Sequence, residues 1–208
     1  MTEAIIHGMI LAIGLILPLG AQNIFVFNQG AAQPAVLRAL PAVLTAAVCD
    51  TLLITASVGG ISLAVLALKG LTPILYGVGA VFLTVMGWKI WRGGFSGSQA
   101  AALPPRGQAL YALSVSLLNP HALMDTVGVI GTSSLQYAGW ERWTFAGAAA
   151  LVSWAWFAAL AAAGRMLGAA DPSGRLLRCM NVISALLLWG MAVMMLLRLL
   201  RLLRLAAG

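Results

Sequence analysis

Long apolar runs without a single charged residue dominate this chain and decide what it can fold into. Four such runs contain no Asp, Glu, Lys or Arg: residues 4–37, 70–88, 143–164 and 179–197. Each is close to, or longer than, the ~20 residues that a helix needs to cross a bilayer. Two further apolar segments, roughly 36–60 and 108–135, contain one carboxylate each, Asp50 and Asp125. The pattern therefore predicts six membrane-crossing segments.

The composition indicates the same class of protein. Only 8% of the 208 residues are charged, against about a quarter in soluble domains, and the mean hydropathy is +0.98. Lipid must therefore cover the outer surface. In lipid the backbone satisfies its hydrogen bonds only in helices or in a closed barrel. Continuous apolar runs favour helices, because barrel strands alternate between apolar and polar residues. We expect an all-α integral membrane protein with six transmembrane helices.

The net charge of +7 does not indicate a nucleic-acid partner, because most Lys and Arg residues fall in the connections between the apolar segments, as in membrane proteins generally. The third-to-fourth and fifth-to-sixth connections are the most basic, and both lie opposite the N-terminus. The positive-inside rule thus favours both termini outside. Three basic residues near the C-terminus oppose this bias and are expected at a lipid interface; they are Arg198, Arg201 and Arg204.

A stretch rich in Gly, Ser and Pro, residues 93–106, reads as a loop and divides the chain into two similar halves. We expect a first three-helix repeat in 1–92, a connecting loop in 93–107 and a second three-helix repeat in 108–208. Because three is odd, the second half must enter the membrane from the opposite side. Such inverted-topology repeats are common in transporters.

Each half opens with a helix that contains a proline, in ILPLGAQN and in SLLNPHALMD. Proline removes a backbone donor and clashes with the preceding turn, so we expect breaks at Pro18, followed by Gly20, and at Pro120. A break exposes helix ends whose dipoles can hold charged groups, although a simple kink is the alternative. The polar residues beside the two breaks are expected to face one central cavity; they are Gln22, Asn23, Asn119 and His121.

Asp50 and Asp125 both fall at mid-depth in their segments. A lone carboxylate at the bilayer centre costs ~2.5–3.5 kcal/mol on insertion scales, and no Lys or Arg lies at a similar depth. We expect the two residues to share a site that meets a cation from outside the chain; protonated carboxyls bonded to neighbouring helices are the alternative. His121 and Asp125 share a helix face at i and i+4, which suits a proton relay better than a metal site.

Signatures of enzymes are missing from the sequence. It contains no G-x-S-x-G, H-E-x-x-H or Walker motif, and Cys49 and Cys179 do not form a C-x-x-C pair. We therefore expect neither an enzyme nor a cofactor. The small residues of 146–164 favour close helix packing. Trp154 and Trp156 lie deep in that span and are expected to pack, with the lining of a site as the alternative.

Two segments, PLGAQNIFVFNQG at 18–30 and LNPHALMDTVGVIGTSS at 118–134, resemble the most characteristic segments of the lysine exporter (LysE) family, and VCD at 48–50 is also similar. Ala21 departs from the family pattern, which usually has a second proline there. The resemblance implies export of lysine or arginine across a bacterial inner membrane.

The sequence and the resemblance together predict a secondary transporter for L-lysine or L-arginine that works by proton antiport. Asp125 is the expected proton carrier, with His121 within reach and Asp50 as the alternative. The other functions left open are export of neutral amino acids or of a divalent metal cation, an uncoupled channel, and a membrane scaffold. The expected partners are the amino acid, protons and membrane lipids, and a homodimer is left open.

Overall fold

The computed structural model describes residues 1–17, 20–60, 71–92, 102–118, 126–170 and 175–207, and all regular structure in these ranges is helical. The α-helices are α1 (Thr2–Ile16), α2 (Ala21–Ala32), α3 (Leu40–Val58), α4 (Leu71–Trp91), α5 (Pro105–Leu118), α6 (Gly139–Ala170) and α7 (Arg175–Ala207). Shorter helical segments are a 3-10 turn at Val36–Ala39, a π-helical segment at Thr126–Gly131 and a 3-10 turn at Ser134–Gln136.

Three helical segments are long and apolar enough to cross a membrane: Val36–Val58, Gly139–Ala170 and Asn181–Arg204. A fourth is added if α1 and α2 count as one span, because they pass the same criterion together but meet at an angle of 80°. The bend falls in the stretch that contains Pro18, and Pro18 itself lies outside the described residues. The all-helical membrane class predicted from the sequence is confirmed, and the count of six spans stays a prediction.

Helix α6 occupies the centre of the bundle. Helices α1, α2 and α3 all pack against it, α3 also packs against α5, and α4 packs along α7. Large aromatic side chains fill the interior around α6, including the fully buried Phe25, Phe145 and Phe157. The surface is made of exposed Leu, Ile, Val and Met side chains, which is the composition that a lipid-facing surface requires.

The close approach of α2 and α6 depends on glycine. A Cβ atom at Gly164 would overlap the carbonyl oxygen of Phe27, and one at Gly30 would overlap the carbonyl oxygen of Ala161. Lipid removes most of the hydrophobic driving force between helices, so tight packing of small residues has to hold them together. The close packing predicted for 146–164 is confirmed here.

Buried glutamines tie helix ends together at one end of the bundle. Gln108, on α5, donates to the carbonyl oxygens of Arg38 at 2.8 Å and Leu103 at 2.9 Å, and its own oxygen accepts from the Ala42 amide at 3.3 Å. Gln29, near the end of α2, accepts from the Leu103 amide at 3.2 Å. The end of α2, the start of α3 and the start of α5 therefore lie side by side.

We predict that Gly164→Ala lowers the thermal midpoint of the purified protein, whereas Gly147→Ala on the same helix raises it. Alanine is favoured over glycine in a helix by ~1 kcal/mol, and a Cβ at Gly147 meets nothing within 4 Å. At Gly164 the added atom strikes backbone, and overpacking costs ~1–3 kcal/mol. Thermal unfolding in detergent measures both variants. Equal shifts in the same direction would show that α2 and α6 do not depend on contact at Gly164.

Candidate functional site

Asp50 lies in the middle of α3, where α3 meets α2 and α6, and its side chain is partly buried. Gln22 of α2 and Ser153 of α6 offer hydrogen-bond donors to its carboxyl group. Both of these side chains are buried. Three helices thus contribute polar groups to one point inside an apolar bundle.

The bend between α1 and α2 determines where Gln22 lies. Gln22 occupies the first turn of α2, and its amide donates to the carbonyl oxygen of Ala46 at 3.4 Å. Ala46 and Asp50 are four residues apart, so they share one face of α3. Gly20 precedes the first turn in an extended conformation, with no side chain capping the helix. The first turn of α2, with its backbone N–H groups, therefore starts next to the Asp50 carboxyl.

A second pair of side chains joins α3 to α6 beside Asp50. The indole N–H of Trp154 donates to the hydroxyl of Thr51 at 3.0 Å, and that hydroxyl donates to the carbonyl oxygen of Ala47 at 2.7 Å. Ser153 and Thr51 were not predicted as site residues. A hydroxyl in a membrane helix often bonds only to the preceding turn of its own helix, as Ser114 does with Leu110, so a Ser or Thr in the sequence carries little information about a site.

Within the described ranges Asp50 has no cationic side chain as a partner. The ion pair found there joins the N-terminal amine of Met1 to Glu141, at the start of α6. Of the described residues, only neutral donors stabilise an ionised Asp50, and none of their side chains offsets its charge before a cation enters. In the same part of the chain, no three His, Cys, Asp or Glu side chains come together as a metal site would require.

Asn23 has a structural contact at the bend. Its side-chain amide donates to the carbonyl oxygen of Ile16 at 2.7 Å. Ile16 is the last residue of α1, and its carbonyl would bond to the next turn if the helix continued. Asn23 thus satisfies a polar group that the interruption leaves open, as a low-dielectric environment requires. Its predicted contact with a substrate stays a prediction.

The remaining polar residues of the first motif also hold helices together. Asn28 donates to the side chain of Asn181 at 3.2 Å and links α2 to α7, while Gln29 binds the segment before α5. The predicted residues of the second motif, together with the first proline, lie outside the described residues; they are Pro18, Asn119, Pro120, His121 and Asp125. Their parts in the site stay predictions.

We predict that Asn23→Asp destabilises the protein at least as much as Asn23→Leu. All three side chains have nearly the same size, but Leu removes the donor and Asp sets a carboxylate against the Ile16 carbonyl. A buried carbonyl without its donor costs ~1–3 kcal/mol. Thermal unfolding in detergent compares the variants. A wild-type midpoint for Asn23→Asp would contradict the capping role.

Similarity to known proteins extends over nearly the whole chain. The LysE type translocator family matches residues 13–199. YisU of Bacillus subtilis (strain 168), whose name marks it as a candidate amino-acid transporter, is 52% identical over 192 residues, which are 91% of this chain and 87% of YisU. The arginine exporter protein ArgO of Pectobacterium carotovorum subsp. carotovorum (strain PC1) is 33% identical over 203 residues, 93% of this chain and 96% of ArgO.

ArgO of Serratia proteamaculans (strain 568) is 31% identical over 206 residues, 93% of this chain and 96% of ArgO. No solved structure matches the chain. The family match covers nearly all of the sequence and includes both α3 and α6, which carry the site around Asp50. The resemblance inferred from the two motifs is confirmed, and the chain belongs to the LysE type translocator family.

Proposed function

We propose that the protein is a secondary transporter that exports a basic amino acid, L-arginine or L-lysine, across the bacterial inner membrane. The observation that carries this proposal is the Asp50 carboxyl, which lies inside the bundle with two neutral donors and no cationic partner among the described residues. A carboxylate in that position suits a cationic cargo better than a neutral one. The relatives named as arginine exporters support the same choice.

The proposed architecture is six spans in two inverted three-helix repeats. The most extensive helix contacts support it, because exchanging the two halves converts them into one another. The exchange would replace α1 by α5, α2 by the π-helical segment, α3 by α6 and α4 by α7. The contact of α1 with α6 then corresponds to that of α5 with α3, and the contact of α2 with α6 corresponds to that of the π-helical segment with α3. The contacts of α3 with α6 and of α4 with α7 each join two equivalent helices. A pseudo-twofold axis would produce this arrangement.

The candidate site lies where the two equivalent helices cross. Thr51 and its bonded partner Trp154 are 103 residues apart in the chain, and so are Asp50 and Ser153. The equal intervals support an axis through this crossing, and transporters built from inverted repeats bind their substrates at the interface between the repeats. We assign the second carboxylate of the site to Asp125, with Asn119 and His121 beside it, on the sequence motif alone.

In this proposal, both termini lie outside the cell. Gln108 holds the Arg38 segment at one end of the bundle, and the Asn28–Asn181 bond brings the start of α7 to the same end. The N-terminus lies at the opposite end, paired with Glu141. The basic end carries Arg38, Arg92, Arg106, Arg165, Arg175 and Arg178, and the positive-inside rule makes it cytoplasmic.

Export is coupled to proton entry in this mechanism. A basic amino acid leaves with one net positive charge, which costs ~2.3 kcal/mol per 100 mV of interior-negative potential. Exchange of one proton inward for each amino acid outward cancels that electrical cost. A carboxylate that binds either a proton or the substrate enforces the exchange, since the two compete. Asp125 is our choice for that group, and Asp50 is the alternative.

We predict that Asp50→Asn lowers arginine export at sub-saturating substrate by at least ~30-fold, because loss of one member of a buried charge pair costs ~2–5 kcal/mol. Counterflow of labelled arginine in liposomes measures the effect. Glu141→Gln is the matched control, as it removes a carboxylate that pairs with the N-terminal amine away from the site. Asp125→Asn is expected to behave like Asp50→Asn. Near-normal counterflow in Asp50→Asn would remove Asp50 from substrate binding.

We also predict that a pH gradient alone drives uphill arginine movement. Liposomes containing the protein receive an imposed pH gradient while potassium and valinomycin hold the membrane potential at zero. Labelled arginine should accumulate against its own gradient on the acidic side, because each proton moving down its gradient exchanges for one arginine. If arginine only equilibrates, the protein is a uniporter and its carboxylates serve binding alone.

A further inference from the structure

One polar group in the interior takes no part in the contacts around Asp50. The indole N–H of Trp156, on α6, is buried and has no hydrogen-bond partner within the part of the chain that the structure describes. Its ring packs against the cluster that includes Phe25, Val26 and Phe157. A buried donor left unpaired costs ~1–3 kcal/mol, and native proteins seldom leave such a group without a purpose.

Other indole N–H groups in the bundle have a hydrogen-bond partner or lie at the surface. Trp154, two residues earlier on α6, donates to Thr51, and Trp189 of α7 donates to the carbonyl oxygen of Thr84 at 3.2 Å. Trp140 and Trp143 are exposed near the start of α6, where indole N–H groups reach water or lipid headgroups. Trp156 is thus a buried indole whose donor is left available.

The position of Trp156 connects it to the candidate site. It follows Ser153 by three residues, so the two side chains are neighbours on the helix surface, separated by ~4.5 Å of rise along the axis. Ser153 offers its hydroxyl to the Asp50 carboxyl. The hydroxyl that bonds to Asp50 and an indole N–H with no acceptor among the described residues therefore lie within one turn of α6.

We propose that Trp156 binds the α-carboxylate of the transported amino acid while Asp50 binds one of its cationic groups. The indole nitrogen can only donate, so its partner must be an acceptor. In arginine or lysine the ammonium and guanidinium groups are donors, and the only acceptor atoms are the two carboxylate oxygens. A hydrogen bond to an ionised group is stronger than a neutral one, which would offset the cost of burying the free donor.

This inference rests on the proposed export of basic amino acids. It adds to that proposal a site with two binding groups, one for the positive end of the substrate and one for its carboxylate. Asp50 recognises positive charge, which any organic cation supplies. Trp156 recognises the carboxylate, which distinguishes an amino acid from the corresponding amine. The start of α2 also lies against α3 near Asp50, and Trp156 adds a directed donor that a single substitution removes.

The test compares arginine with agmatine, which keeps the guanidinium and a primary ammonium but lacks the carboxylate. Each is used as a competitor of labelled-arginine counterflow in liposomes containing wild type, Trp156→Phe or Trp189→Phe. For Trp156→Phe the arginine inhibition constant should rise by ~10-fold or more, since hydrogen bonds to charged groups contribute enough for a tenfold change. The agmatine constant should stay the same, so the preference for arginine shrinks.

Trp189→Phe is the matched control, because its N–H already bonds to the carbonyl oxygen of Thr84 between α4 and α7, and it should keep the wild-type preference. Trp156→His keeps a ring N–H and should retain part of that preference. Trp156→Leu, which also removes the donor, replaces Trp156→Phe if the latter does not fold. The inference is overturned if the wild type does not distinguish arginine from agmatine, or if Trp156→Phe weakens both competitors equally. Absence of arginine and lysine counterflow in the wild type would instead refute the proposed function, and the inference with it.

Discussion

Every polar group placed inside this bundle has to find its partner within the protein, because lipid offers none. That requirement explains why the chain is helical throughout the described ranges, and it also explains the use made of its few interior polar side chains. Asn23 satisfies the carbonyl that the bend leaves open at Ile16, and Gln108 bonds to two carbonyls and one amide where three helix ends meet. Among the residues that the structure describes, two groups are exceptions: the carboxyl of Asp50 has no cationic partner, and the indole N–H of Trp156 has no acceptor.

The segment PLGAQNIFVFNQG illustrates how one polar motif divides its work. Asn23 caps a helix, Asn28 and Gln29 attach α2 to other parts of the bundle, and Gly30 lets α6 approach. Gln22 is the motif residue found at the Asp50 carboxyl. Most of the polar residues in such a motif are thus required to build an irregular helix in lipid, and a smaller number is left for recognition of a substrate.

The bend and the helix crossing serve the same purpose in the proposed mechanism. A bend of 80° turns the first turn of α2 toward the middle of α3, and the crossing of α3 with α6 brings Ser153 to the same point. A transporter for a charged amino acid must bind the positive and the negative groups of its substrate close together, inside the protein and away from lipid. In the proposed mechanism, the Asp50 carboxylate on α3 and the Trp156 indole N–H on α6 bind the two ends of such a substrate.

The sequence by itself determined the class of protein, because uncharged runs of ~20 residues can be stabilised only as helices in lipid. It also predicted Asp50 as a site residue and the region of the bend, since a mid-span carboxylate and a proline are costly wherever they occur. Only the tertiary structure separated the roles of Gln22 and Asn23, which are adjacent in sequence but point to different helices. The same holds for Ser153 and Trp156, which look like ordinary packing residues in an apolar run. Their significance depends on what faces them across a helix interface, and periodicity within one helix does not carry that information.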